Sequence, residues 1–450
     1  MPADATPSHA HASCVTRRGF IKTTAVVATG LSAGLMATGD FAYAAGNDAI
    51  RLGLVGCGGR GKGAVRDAVR AAPGVEFVAM GDLFEDQIRQ AQQDLKGVIG
   101  DAYRVAEGRV YLGWDAYRQV IEDDRVNYVL LCAPGVFRPL HLAAAVEAGK
   151  HAFAEKPISV DPVGCRAVMA LGDRAKEKGV GILAGTQRRH TRAYLEALQR
   201  VHDGQIGELV AGQIYFNVQG ISYREREPGW TDMEYMVRNF RHYTHLSGDC
   251  PLELLLHNID VANWAMQAHP VRIVATGGRQ TRAWPQYGNI YDHFGIDFEY
   301  PNGARVFGMT RRQEGTSERM AERFVGTRGE VNLSENMASN IRGERPWRFD
   351  AEQLPGIVQE HQDFIASIRA GTPLNEARRV AESNLTAIMA REAAYTGREL
   401  TWDEVALSNQ DLTLHEWAFG PMPDPPVATP GRTPIERNWL GEPLAAAGTR

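Results

Sequence analysis

The 450-residue sequence predicts an α/β fold: an N-terminal doubly wound parallel sheet, then an α+β domain with an open antiparallel sheet. Three observations carry this. Near-continuous apolar strands alternate with helices from Ala49 to about Ala184, as in parallel sheets covered on both faces. A glycine-rich turn, Gly56–Gly61, joins the first strand to a helix. After about Gln187, apolar and polar residues alternate in strand-length runs without helices between them, the pattern of half-exposed antiparallel strands. Composition agrees. Hydrophobic residues make up 44% and charged residues 23%, which excludes a disordered or fibrous chain. A net charge of −5 provides no general positive field, so no nucleic-acid partner is expected.

The elements follow in order. Residues 1–44 stand apart: Thr16–Lys22 reads TRRGFIK, Thr23–Thr38 is uncharged and mildly apolar, and Ala42-Tyr43-Ala44 supplies small residues for cleavage. This is a twin-arginine signal peptide, and a periplasmic or extracellular protein is expected. The apolar stretch is shorter than the ~20 residues of a membrane span, so none is expected in the mature protein. Its removal leaves 46 basic and 52 acidic residues, and Cys57, Cys132, Cys165 and Cys250 as free, mostly buried thiols.

The first globular domain is expected over 48–186. Its strands are Ile50–Val55, Val75–Met80, Asn127–Ala133, His151–Ala154 and Gly181–Ala184, with helices at Gly61–Ala72 and Leu140–Ala148. The second is expected over 187–420. Strands fall at Leu209–Val218, Val271–Gly277, Phe294–Tyr300, Arg305–Thr310 and Arg323–Val325, and late helices at Val358–Arg369 and Glu376–Tyr395. Six prolines between Pro421 and Pro434 predict an extended C-terminal arm over 421–450.

Gly56-Cys57-Gly58-Gly59-Arg60-Gly61 fits G-x-G-x-x-G between a strand and a helix, the context of the Rossmann dinucleotide turn. The first glycine allows the turn, the second admits the pyrophosphate, and the third packs helix on strand. Asp82, 21 residues after Gly61, would accept the ribose hydroxyls and repel a 2′-phosphate, so NAD is the expected cofactor. Arg60 adds positive charge beside the phosphates. Ala133, Pro134, Glu155 and Lys156, at later strand ends, complete the expected cofactor set.

Three further segments are more specific. Ala148-Gly149-Lys150-His151-Ala152-Phe153-Ala154-Glu155-Lys156-Pro157 resembles the AGKHV-x-x-EKP signature of the Gfo/Idh/MocA oxidoreductases, and Ser247-Gly248-Asp249…Glu253…His257…Asp260 resembles that family's D-x-x-x-H-x-x-D helix. Asp203–Glu208 and Gly326–Glu330 resemble its D-G-x-I-G-E entry to the second domain and its G-T-x-G turn. Arg238-Asn239-Phe240, Leu246–Asp249 and His257–Trp264 resemble an exported subgroup carrying a twin-arginine signal. The resemblance implies hydride transfer between NAD(P) and a sugar, inositol or polyol, with a lysine at Lys156 touching substrate hydroxyl and nicotinamide ribose. It also implies a homo-oligomer formed through the second sheet.

On a helix, Glu253, His257 and Asp260 would share one face, with Glu253 and His257 an i,i+4 pair. Lys156, His257 and Glu253 are therefore the candidate catalytic residues, His257 serving as the base oriented by a carboxylate. Where this chain has Glu253, many family members place Asp. Arg188, Arg238, Asn239, Asp260 and His257 are candidate substrate contacts; Tyr291 and His293 are weaker ones, and Trp264 reads as core. Two other classes remain. The run His242, His245, Asp249, Glu253, His257, Asp260 would serve a metal-assisted hydrolase if three converged, though no metal is expected; a non-catalytic sugar-binding protein would keep NAD structurally. Export places the protein away from a nucleotide pool, so a tightly held NAD cycling in one site is expected, or an NAD-dependent glycosidase that oxidises transiently and eliminates.

Overall fold

The computed structural model describes residues 49–335, 338–414 and 416–444. The signal-peptide reading over 1–44 lies outside the described residues.

The first sheet has six strands: β1 (Ile50–Val55), β2 (Val75–Asp82), β3 (Val110–Leu112), β4 (Tyr128–Leu131), β5 (His151–Ala154) and β6 (Ile182–Ala184). They lie in the order β3-β2-β1-β4-β5-β6, and every pairing is parallel. Strand order reverses between β1 and β4, so the crevice beyond their C-terminal ends is the ligand position of such a sheet. Gly56 closes β1 with φ of +94°, and a Cβ there would lie 2.6 Å from the Ala133 amide nitrogen. The helix α1 (Gly59–Ala71) then packs so closely on the turn that a Cβ on Gly61 would lie 1.9 Å from the Gly56 carbonyl oxygen. The close approach of helix to turn, more than backbone freedom, demands glycine at 61.

The second sheet has nine strands in the order β14-β13-β12-β11-β7-β10-β9-β8-β15. They are β7 (Leu209–Val218), β8 (Arg272–Gly278), β9 (His293–Glu299), β10 (Arg305–Arg312), β11 (Arg319–Gly326), β12 (Gly329–Leu333), β13 (Asn340–Gly343), β14 (Trp347–Arg348) and β15 (Leu400–Thr401). The sheet is mixed rather than wholly antiparallel, because β7 and β10 run parallel. The chain between them passes through helices and returns on the same heading, which residue alternation within each strand does not reveal. Alternating positions such as Ile296, Phe298, Val306 and Phe324 are buried. They face the helices α2 (Leu256–Met266) and α3 (Ala377–Thr396), which pack on β7 and β8 respectively. One apolar core cluster runs from Val129 and Leu131 through Ile158 and Ala387 to Phe294 and Phe324.

The four cysteines among the described residues are free, three buried and Cys132 half-buried. The proline-rich segment folds onto its own chain: the Tyr291 hydroxyl donates to the Ala428 carbonyl at 2.9 Å, and Arg437 is ion-paired with buried Glu392. No helix among the described residues is long and apolar enough to cross a membrane.

The packing at Gly61 yields a test. Gly61→Ala is expected to cost ~1–3 kcal/mol in chemical denaturation and to leave the purified protein depleted of nucleotide.

Candidate active site

Asp82 ends β2 with its carboxylate locked in place. Oδ2 accepts the Cys57 amide at 2.6 Å and Oδ1 the Phe84 amide at 2.9 Å. Burial pushes the Asp82 pKa up, while those amide hydrogen bonds oppose the shift. A cavity of about 620 Å³ opens beside it, lined by Gly56, Gly58 and Gly59 and continuing past Ala133 and Pro134 to Arg238, Asn239, Arg241 and His242. That volume is in the range of cofactor clefts. At Gly59 a Cβ would meet nothing within 4 Å, and at Gly58 nothing nearer than Gln87 Oε1 at 3.9 Å. The turn thus offers bare backbone at the N-terminus of α1, where amides attract phosphate. These residues fit NAD: Gly56, Gly58 and Gly59 for the pyrophosphate, Asp82 for the ribose.

Aromatic side chains wall this cavity. Trp417, from the segment after the last helix, packs on Phe137 at 4.4 Å and Trp114 at 5.9 Å between ring centres. Phe419 lies 5.2 Å from Trp114. The Arg238 guanidinium sits 3.8 Å from the Phe84 ring and 4.6 Å from Trp230, held by Asp86 at 3.0 Å. Arg238 therefore lines the cavity as part of a stacked wall. Asn239 is buried and clamps the 224 backbone, accepting the Arg224 amide at 2.7 Å and donating to its carbonyl at 3.2 Å. Sequence reasoning missed Trp417, Trp114 and Arg241; the two tryptophans lie some 300 residues apart, so no local spacing links them.

The inner end holds the candidate chemistry. Arg241 lines the cavity, and its Nε lies 3.5 Å from Glu253 Oε2. Lys156 Nζ donates to the Glu253 backbone carbonyl at 2.5 Å. Burial lowers the Lys156 pKa, and Glu253 and Glu155 partly restore it. The Lys156 charge also reaches His257, whose pKa is held well below its ordinary value by burial first and then by Lys156 and Arg188. His257 Nδ1 is buried without a hydrogen-bond partner. The structure thus brings Lys156 into contact with Glu253, and His257 near enough to feel the Lys156 charge.

It does not put Glu253 and His257 on one α-helical face. Pro251–Leu255 winds as a π-helix, and α2 begins only at Leu256. The wider i→i+5 turn rotates Glu253 away from His257. Its carboxylate meets Arg241 and, at 3.7 Å, Arg312 instead. Glu253 therefore does not orient His257.

Four other candidates are placed elsewhere. Asp260 is 1% exposed and accepts from Arg189 Nε at 2.8 Å, Arg379 Nη1 at 2.9 Å and Ser383 Oγ at 2.8 Å. Against the upward push of burial, these partners hold its carboxyl well below the usual range. Arg188 is buried and ion-paired with Glu322 and Glu335, out of reach of the cavity. Burial pushes Glu322 up to about 7 despite that partner. Arg60 turns its guanidinium away from the phosphate cradle to pair with Glu155, Asp67 and Glu360. Glu155 is consumed by that pair and by the Lys156 amide at 2.7 Å. In each case a charge is satisfied by an opposite charge from a distant part of the chain, with at least one partner buried, which local sequence cannot reveal. Tyr291 is buried against the C-terminal arm, and His293 pairs with Asp292 at 2.7 Å. Among the described residues no three of the His, Asp and Glu side chains converge on a metal position.

Family comparisons agree with the fold and the glycine turn. Residues 50–186 match the oxidoreductase family, NAD-binding Rossmann fold, and residues 194–332 match the GFO/IDH/MocA C-terminal domain. The protein belongs to the Gfo/Idh/MocA oxidoreductase family. It is 26% identical over 334 residues to the inositol 2-dehydrogenase of Rhizobium meliloti, covering 72% of this chain and 90% of that one. It is 24% identical over 283 residues to the scyllo-inositol 2-dehydrogenase (NAD(+)) of Bacillus subtilis, covering 63% and 73% respectively. The crystal structure of aldose-aldose oxidoreductase from Caulobacter crescentus with glycerol shares the fold at TM-score 0.62 and 17% identity, over 78% of this chain and 99% of that one.

Two outcomes test the site's construction. Asp82→Ala is expected to weaken NAD binding about tenfold to a hundredfold, measured by calorimetry, through loss of a charged hydrogen-bond acceptor. Asp260→Ala is expected to cost ~1–3 kcal/mol in denaturant melts, because half-buried Arg189 loses its carboxylate and Arg379 keeps only Glu376.

Proposed function

We propose that this protein is an NAD-dependent oxidoreductase of a sugar or polyol, exported by the twin-arginine route with its nucleotide already in place. The observations that carry the reading are the cavity that runs from Asp82 and the glycine turn to Arg241, and the contacts by which Arg241 and Lys156 both meet Glu253 behind that wall. The inositol dehydrogenases among its relatives support a polyhydroxylated substrate.

Bound nicotinamide supplies the acceptor or donor of hydride. The protein supplies the rest. Lys156 holds the reacting hydroxyl by a charge-assisted hydrogen bond and stabilises the oxygen as it gains negative charge. His257, neutral because burial and Lys156 disfavour its charged form, takes the hydroxyl proton. The aromatic wall of Trp417, Trp114 and Phe137 slows exchange of nucleotide and water. A retained nucleotide favours a closed redox cycle within one site. Either a second sugar takes the hydride back, or the same substrate does after elimination, which would make the protein an NAD-dependent glycosidase. The exposed Val274 and Phe307 on the outer face of the second sheet support assembly into a homo-oligomer.

Mass spectrometry of the denatured, purified protein is expected to release about one NAD per chain; a nucleotide-free protein that requires millimolar added NAD would overturn retention. Lys156→Ala and His257→Ala are each expected to lower kcat by about 10²–10⁴ while NAD content is unchanged. The depressed His257 also sets the pH profile. A base with a pKa near 6.5 would lose about fourfold between pH 7.5 and 6 as it protonates. Burial and Lys156 shift the His257 ionisation downward, so a smaller loss in kcat/KM for alcohol oxidation over that interval is expected.

A further inference from the structure

Behind Arg241, which lines the cavity, the side chains around Glu253 carry more positive charge than its carboxylate neutralises. Arg312, the last residue of β10, is 3% exposed, and neither its Nε nor its Nη1 has a hydrogen-bond partner. Its one acidic neighbour is Glu253, 3.7 Å from Nη2. Arg241, half exposed at the cavity wall, lies 3.5 Å from the same Glu253 Oε2. Lys156 reaches only the Glu253 backbone carbonyl. Two guanidinium groups therefore share one carboxylate, with the Lys156 ammonium against its backbone carbonyl.

The surrounding groups do not correct the imbalance. Glu155 is taken by Arg60. Glu314 pairs with Arg282 at 2.5 Å, and Asp292 receives the backbone amides of Gln280, Thr281 and Arg282. Arg138 is satisfied by the carbonyls of Leu131, Ala133 and Glu155, with no acidic partner. His242 is buried at this end and held neutral, its pKa pushed down to about 4 by burial and by Arg282, Arg312 and Arg241. Oxidised nicotinamide brings one further positive charge when bound.

A buried guanidinium with unmatched N–H groups is costly, and a neutral polyol leaves its charge uncompensated. An oxyanion removes the cost, and the planar fork of arginine matches a carboxylate in two parallel hydrogen bonds. Resting on the oxidoreductase reading above, we propose that the substrate is a sugar acid of the aldonate or uronate class, its carboxylate held between Arg312 and Arg241. The carboxylate takes no part in the transfer; it fixes which carbinol lies against Lys156 and His257.

The test is binding to the purified, nucleotide-containing protein by calorimetry. Gluconate, galactonate, glucuronate and galacturonate are compared with glucose, galactose, myo-inositol and scyllo-inositol, and with glucose 6-phosphate. At least one acid is expected to bind tenfold or more tighter than its neutral counterpart, and 0.5 M salt is expected to erase that margin. In Arg312→Gln the margin is expected to vanish. Arg241→Gln, at a half-exposed position that tolerates substitution, is expected to reduce it several-fold and keeps the test open should Arg312→Gln fail to fold. Neutral sugars binding as tightly as the acids, no acid binding below 10 mM, or a margin unchanged in Arg241→Gln would overturn the assignment. Preference for the phosphate ester over every acid would assign the pocket to phosphate and overturn the carboxylate. Nucleotide content of the same samples is read in parallel. A protein that neither retains nucleotide nor binds added NAD would overturn the oxidoreductase reading while leaving the acid preference measurable.

Discussion

The site depends on one buried carboxylate. Asp260 draws Arg189, which follows β6, Arg379 and Ser383 on α3, and its own helix α2 to a single point. Two residues earlier on α2, Asn258 donates to Glu322 at 2.7 Å, and Glu322 in turn holds Arg188. The helix bearing His257 is thus pinned at two points just after that residue. Such charges are taken out of water at a cost of several kcal/mol per ion, which only a complete set of partners offsets. The clamp makes the approach of His257 to Lys156 a property of the whole fold rather than of either side chain.

The π-helical turn over Pro251–Leu255 has the complementary effect. It frees the Glu253 carbonyl for Lys156 and turns the Glu253 carboxylate toward the arginines. Insertions of this kind are frequent at functional sites because they redirect one side chain without ending the helix. In this protein Glu253 joins Lys156, just after β5, through its carbonyl to Arg312 on β10 through its carboxylate.

At the opposite end, Asp82 and the glycine turn form a rigid cradle, while the wall comes from distant aromatic residues. Trp114 lies between β3 and β4, and Trp417 follows the last helix. Their stacking with Phe137 buries apolar surface over a cavity whose floor is polar backbone. A nucleotide held this way is protected by packing from above and by hydrogen bonds from below.

The glycine turn, Asp82 at its strand end and the E-K-P segment were legible in the sequence because each rests on local geometry: a φ, a close approach, a strand terminus. Five strands of each sheet were legible for the same reason, since hydrophobic period and length are properties of adjacent residues; β3 and β12–β15, five residues or shorter, are too short to show a period. The fate of Arg60, Arg188 and Asp260 was not. Each carries the charge a ligand site would want, and only tertiary packing decided that a protein carboxylate or guanidinium takes the place of a ligand. The parallel pairing of β7 with β10 was hidden because strand direction depends on the path between strands. Sequence determined a nucleotide fold with a lysine and a histidine in reserve; long-range ion pairing decided which charges were left over to meet a substrate.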